Sequence, residues 1–289
     1  MSFSHERDTE KVFVRDKHWQ RQFVADTGLL PQPVFAVVDG DRIGNVDLSA
    51  FLRRNPGAWI LKPRFGSNGF CVTRIVVHPD GRMTLASDCP DTAQYLDEFP
   101  CDPDLRGGDL VTAITTRRER FADRARVGMS ERQLNQSILE REIRQDRADG
   151  SMCEPRVVVQ RTPSGFRTLG AICKRIDSPI GASVARDYRE ESLDVSLRRF
   201  FGDRFGHARD ELFGTADRLR EMLVPVLEAS GTRVHQFGID CRLCIDPRTG
   251  GAEFPFIEFQ FANVSVPKSG DHFSELRSWW RLSPFAPRK

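Results

Sequence analysis

No apolar run in this 289-residue chain approaches the roughly 20 residues that cross a bilayer, which leaves no candidate for a membrane-spanning helix. The opening MSFSHERDTEK has no hydrophobic region, so a secretory leader is not expected and a cytoplasmic setting is. The seven cysteines are odd in number and scattered, with Cys241 and Cys244 alone at CxxC spacing, which argues against a disulfide framework, and no structural zinc site is expected. Cys241 and Cys244 fall in a strand-like run, where a small buried hydrophobe is the expectation. Excess charge is missing too. A net charge of +2 argues against a general nucleic-acid binder, and the crowd Arg117, Arg118, Arg120, Arg124 and Arg126 reads as a solvated helix face. Internal repeats and heptad runs are absent.

What is present is a globular composition, 39% apolar and 29% charged, in a chain long enough for two or three packed subdomains. The spacing of Phe13, Trp19, Phe23 and Val24 predicts a helix within Val12 to Leu30, followed by the extended PQPVFAVV, a turn at Asp39-Gly40-Asp41 and a helix from Leu48 to Arg54. A strand from Cys71 to Val77 turns at His78-Pro79-Asp80-Gly81 into Met83 to Ala86. The stretch 87–108 is rich in Asp and Pro and carries little periodicity. Ser130 caps a helix feeding a strand that ends near Ile143, and strands Pro155 to Arg161 and Phe166 to Ile176 flank a Pro163-Ser164-Gly165 turn. Residues 177–204 read as irregular, with Arg186, Tyr188 and Arg189 as candidate substrate contacts. Leu212, Ala216, Leu219, Leu223 and Leu227 make one stripe of a long helix from Ala208 to Ser230, closed by Gly231. Strands Val234 to Ile245 and Phe254 to Phe261 then form an antiparallel hairpin. The class is α+β.

Three stretches carry chemistry. In WILKPRFGSNGFCVTRI, Lys62 precedes the turn Gly66-Ser67-Asn68-Gly69, a sequence suited to holding phosphate with backbone N–H groups and one ammonium. An ordinary hairpin reads the same way. In FGIDCRLCI and FPFIEFQFAN, alternation puts Glu258 and Gln260 on one face, with Asp240 able to lie across from them. Hard oxygen donors of that kind suit Mg²⁺ completed by phosphates. In LEREI, a strand end carrying Glu140, Arg141 and Ile143 could offer backbone groups and a carboxylate to an adenine edge.

In this order the stretches resemble the ATP-grasp superfamily, the fold of D-alanine–D-alanine ligase and many carboxylate–amine ligases. The resemblance implies two α+β subdomains with antiparallel sheets holding ATP between them, and a reduced or absent N-terminal α/β domain. It divides the chain into a lead-in over 1–57, a smaller subdomain over 58–145 and a larger one over 146–289. Asp16-Lys17 would open the ATP-binding module, with Lys17, Lys62 and the Gly66 to Gly69 turn on the phosphates and Glu140 to Ile143 at the adenine hinge. Asp146 or Glu154 would meet the ribose, Arg156, Lys174 and Arg175 the reacting groups, and Asp240, Glu258 and Gln260 would hold Mg²⁺. Where the family has Asn two residues after its metal-binding Glu, this chain has Gln260, with Asn263 further along. The implied activity joins a small carboxylic acid to an amine through an acyl-phosphate, with ATP and Mg²⁺ as cofactors and a homo-oligomer or partner subunit able to complete the substrate wall. Two other readings remain: a kinase of the same fold, and a nucleotide-binding module without catalysis.

Overall fold

The computed structural model describes residues 15–65, 72–88, 130–143, 152–176, 188–232 and 234–261. It divides into two units, the first made of 1–22, 32–144 and 176–188, the second of 23–31, 145–175 and 189–289. Within the expected lead-in over 1–57, residues 35–47 supply three strands of the first unit's sheet.

The first unit is built on a seven-stranded sheet in the order β3-β2-β1-β7-β4-β5-β6. Its strands are β1 (Phe35–Asp39), β2 (Arg42–Ile43), β3 (Val46–Asp47), β4 (Gly57–Pro63), β5 (Val72–Val77), β6 (Met83–Asp88) and β7 (Gln136–Arg141). β7 enters between β1 and β4, antiparallel to both, with Ala36 and Leu61 each opposite Leu139. Helix α1 (Lys17–Thr27) begins in this unit, and Asp16 caps it through the His18 and Trp19 N–H groups. Helix α2 (Leu48–Arg54) has the bounds expected of it and starts where the Asp47 carboxylate accepts from Ala50 N–H at 3.0 Å. It lays Leu48 and Leu52 against Trp59, Leu61, Ile75 and Leu139, the centre of the core. The short helix α3 (Glu131–Asn135) carries a full capping box, Ser130 with Gln133, ahead of β7.

The second unit carries a five-stranded sheet, β10-β9-β8-β11-β14. These are β8 (Met152–Thr162), β9 (Gly165–Ile176), β10 (Tyr188–Ser192), β11 (Gln236–Cys241) and β14 (Phe256–Gln260), with β12 (Cys244–Ile245) and β13 (Ala252–Glu253) forming a separate ribbon. The long strand expected from Val234 to Ile245 is thus two. Arg242 and Leu243 leave the ladder to bond Pro255 and Cys153, after a register shift beyond Asp240. The stretch read as irregular also holds structure, β10 and helix α4 (Leu193–Phe201), the latter capped by Ser192 and burying Leu193, Leu197 and Phe201 at one-turn spacing. Helix α5 (Phe205–Ala229) buries the whole predicted leucine stripe, and Gly231, at φ 73°, ends the helical run.

Among the described residues, no helix is long and apolar enough to cross a membrane. Leu52 is fully buried in the first unit's core. Leu52→Ala is expected to cost about 2–5 kcal/mol through lost burial and the cavity left behind, seen as a lower urea midpoint with the far-ultraviolet dichroism of the folded state retained.

Candidate functional site

On one face of the second unit's sheet, three strands line up charged side chains in a row. The register sets Asp240 of β11 opposite Arg156 of β8 on one side and Glu258 of β14 on the other. Arg156 holds Asp240 through two bonds of 2.6 Å, Nε to Oδ1 and Nη2 to Oδ2, the fork geometry that matches a carboxylate. Lys174 of β9 adds a third, Nζ to Oδ2 at 3.1 Å. Two residues along on the same face, Gln260 lies opposite Gly238. Glu154 shares the Arg156 face of β8 and binds Arg242 at 2.8 Å.

Burial makes this arrangement informative. Asp240 is 2% exposed, and Arg156, Lys174, Glu154 and Arg242 are all buried. Burial pushes the Asp240 carboxyl up, but the Lys174 and Arg156 charges outweigh it and hold it below its ordinary 3.8. For Arg156, burial works against the charge, and Asp240, then Glu258 and Glu154, raise its pKa above the ordinary value. Apolar side chains of similar volume would often be as stable here. A face keeping six ionisable groups together therefore reads as a site for chemistry.

Gly238 gives the row room. A Cβ there would sit 3.1 Å from Arg156 Cγ and Cδ and 3.3 Å from Nε, so the glycine leaves the Arg156 stem room on the way to Asp240.

The first unit has its own buried ionic cluster. Glu140 of β7 takes Lys62 Nζ at 2.7 Å and Arg21 Nη2 at 2.6 Å, and Gln32 accepts from Arg21 at 3.2 Å. Burial raises the Glu140 carboxyl, yet Arg21 and Lys62 together bring it below the ordinary 4.5. Asp16, besides capping α1, holds Arg64 at the end of the β4 stem, with Arg64 Nη1 reaching Gln136 at 3.0 Å.

Of the residues singled out from sequence, Arg156, Lys174 and Asp240 are brought together, Glu258 stands in the same row, and Gln260 shares its face. Strand alternation turns Arg175 to the face opposite Lys174, so it does not join them. Glu154 is engaged with Arg242 within the sheet. Lys62 and Glu140 bond each other. Arg141 lies over the Trp59 ring at 4.8 Å and against Gly57, whose φ is 123°. Ile143 follows the end of β7, and Glu142 is held by Arg74 at 2.7 Å. Lys17 is buried at the start of α1, its N–H donating to Arg64 O at 3.0 Å. Gly66, Ser67, Asn68, Gly69, Asp146, Arg186, Asn263 and the 117–126 arginines lie outside the described residues.

Arg21, Arg242 and Gly238 were not singled out from sequence. Their signals were faint: Arg21 is one helical turn after Lys17, and Gly238 and Arg242 each stand two residues from Asp240.

No protein-family model and no curated protein matches this sequence. Among solved structures, the chain is similar to a D-alanine–D-alanine ligase from Coxiella burnetii at 10% identity and a TM-score of 0.41, covering 88% of this chain and 50% of that one. It is similar to a D-cycloserine synthetase at 15% identity and a TM-score of 0.44, covering 93% and 71%. The biotin carboxylase domain of a Hydrogenobacter thermophilus 2-oxoglutarate carboxylase, a structure containing MgADP, gives 11% identity and a TM-score of 0.45, covering 86% and 40%. The chain spans 40%, 50% and 55% of the first three structures it matches. The D-alanine–D-alanine ligase named by the sequence resemblance is thus among the structures found.

Gly238→Ala is expected to displace the Arg156 stem and cost about 1–3 kcal/mol by overpacking, read as a lower thermal midpoint. The acid side of the stability profile follows from the two carboxyls. Both folded pKa values lie below the ordinary 3.8 and 4.5, so the stability they give is full above those values and is lost as pH falls through the depressed folded values. Denaturation followed from pH 7 downward is expected to show a steep acid limb, shallower in Asp240→Asn and Glu140→Gln.

Proposed function

We propose that this chain is an ATP- and Mg²⁺-dependent ligase of the ATP-grasp type, joining a carboxylic acid to an amine with release of ADP and phosphate. The observation that supports the reading is the row Arg156, Asp240, Glu258, with Lys174 on the same carboxylate, on one buried sheet face. A transferred phosphoryl group needs charge neutralisation and positioning more than covalent help from the protein, and this face offers both signs of charge at fixed places.

The donor set fits a hard cation. Asp240 and Glu258 offer carboxylate oxygens and Gln260 an amide oxygen, the ligand type that Mg²⁺ takes alongside substrate phosphates. When bound, the cation would neutralise phosphate charge. The protein's own work is electrostatic. Arg156 and Lys174 would exchange Asp240 for phosphate oxygens, freeing that carboxylate as a ligand, and would carry the charge that grows on the oxygens as the γ-phosphoryl group moves. A substrate carboxylate oxygen forms the new bond to phosphorus as the bond to the ADP oxygen breaks. The amine nitrogen then bonds to the acyl carbon, phosphate departs with the electron pair, and the amine gives up a proton. The resemblance also assigns Lys62 and the edge from Glu140 to Ile143 to the nucleotide.

Incubation with ATP, Mg²⁺ and a pool of amino acids and small acids, followed by mass spectrometry, is expected to yield ADP and one amide product. Arg156→Ala is expected to lower kcat about 10²–10³-fold, the loss of one preorganised charge, and Glu258→Ala to remove turnover. A phosphorylated acceptor with no amide would make the protein a kinase. ATP bound but unturned over the whole pool would make it a nucleotide-binding module.

A further inference from the structure

The opposite face of the same sheet holds a second group of reactive side chains. Alternation turns Cys153 away from Glu154 on β8 and Cys173 away from Lys174 on β9. Both thiols are 0% exposed and neither is in a disulfide. β10 adds Glu191, whose Oε1 lies 3.9 Å from Cys153 Sγ. Ser196, in the first turns of α4 and fully buried, donates to the same Oε1 at 2.5 Å. The two sulfurs and a Glu191 oxygen all lie within 4.8 Å of one another.

We propose that Cys153, Cys173 and Glu191 bind Zn²⁺, with the Ser196 hydroxyl on the fourth side. Two thiolates and a carboxylate are ligands of this borderline-soft cation, at about 2.3 Å for sulfur and 2.0–2.2 Å for oxygen, which sets tetrahedral donors about 3.8 Å apart or less. The donors, within 4.8 Å already, close to that spacing by moving about 1 Å or less. The outer shell is also in place. Arg199 holds both Glu191 oxygens, Nη1 to Oε1 at 3.0 Å and Nη2 to Oε2 at 3.1 Å, orienting the carboxylate as partners of metal ligands do. Its charge balances two thiolates and a carboxylate around a divalent cation. Uptake expels the two thiol protons, so affinity climbs with pH. The ion would pin β10 and α4 to β8 and β9, the strands that carry Arg156 and Lys174 on their other face. This inference does not depend on the ligase reading.

The test is a titration of reduced, chelator-stripped full-length protein with Zn²⁺ against a chromophoric chelator, and with Co²⁺ as a spectroscopic probe. One equivalent of Zn²⁺ is expected, and the Co²⁺ form should show thiolate charge-transfer absorption with the intense d–d bands of a tetrahedral site. Both are lost in Cys153→Ser/Cys173→Ser, and Arg199→Gln weakens Zn²⁺ about 10–100-fold. If the double variant does not fold, Cys153→Ala, which buries no new hydroxyl, carries the same test. No stoichiometric uptake by folded wild-type protein, uptake unchanged in the cysteine variant, or a Cys153–Cys173 disulfide in the purified protein overturns the proposal.

Discussion

The carboxylate of Asp240 cannot stand alone where the fold puts it. At 2% exposure an unpaired carboxylate would cost several kcal/mol, so its two oxygens require Arg156 and Lys174, and those in turn require the geometry around them. Arg156 has more room because residue 238 is a glycine, since a Cβ there would sit 3.1 Å from its stem. β8 and β11 need their antiparallel register, because a slip of one residue would send Arg156 and Asp240 to different faces. A single buried charge thus constrains a glycine, a register and two cations from neighbouring strands.

The same logic governs Glu140 in the first unit, where Arg21 and Lys62 come from a helix and a strand far apart in the chain. Removing one partner from such a cluster costs about 3–5 kcal/mol, whereas replacing the whole cluster with apolar groups is often neutral or better. Stability therefore does not account for its presence. A fixed, desolvated set of charges is what a site handling phosphate oxygens requires, and the hairpin behind Asp240 and Glu258 holds such a set in register.

Much of the fold was legible because its signals are local. The α5 stripe repeats at helical spacing, Asp47 and Ser130 cap the helices they precede, and alternation through FGIDC and FIEFQ put Asp240 across from Glu258. What stayed hidden is mostly non-local. Arg156 and Asp240 stand 84 residues apart and Arg242 and Glu154 88, so each pairing appears only once β11 has entered beside β8. The place of β1 beside β7 depends on a strand arriving about a hundred residues later. Helix α4 was missed for a different reason: its buried positions Leu193, Leu197 and Phe201 fall in so charged a stretch that a nine-residue amphipathic segment reads as irregular. Arg175 was expected beside Lys174, and strand parity sets adjacent residues on opposite faces.

On the proposed ligase reading, Arg156 and Lys174 saturate Asp240 until a nucleotide polyphosphate takes them over. Mn²⁺ binding followed by electron paramagnetic resonance, with and without a non-hydrolysable ATP analogue, tests it most directly. The account predicts weak Mn²⁺ binding to the protein alone and tight binding once the analogue is present, with both Asp240→Asn and Glu258→Gln losing the tight mode. Tight Mn²⁺ binding at Asp240 without nucleotide, or no gain when nucleotide is added, would contradict it.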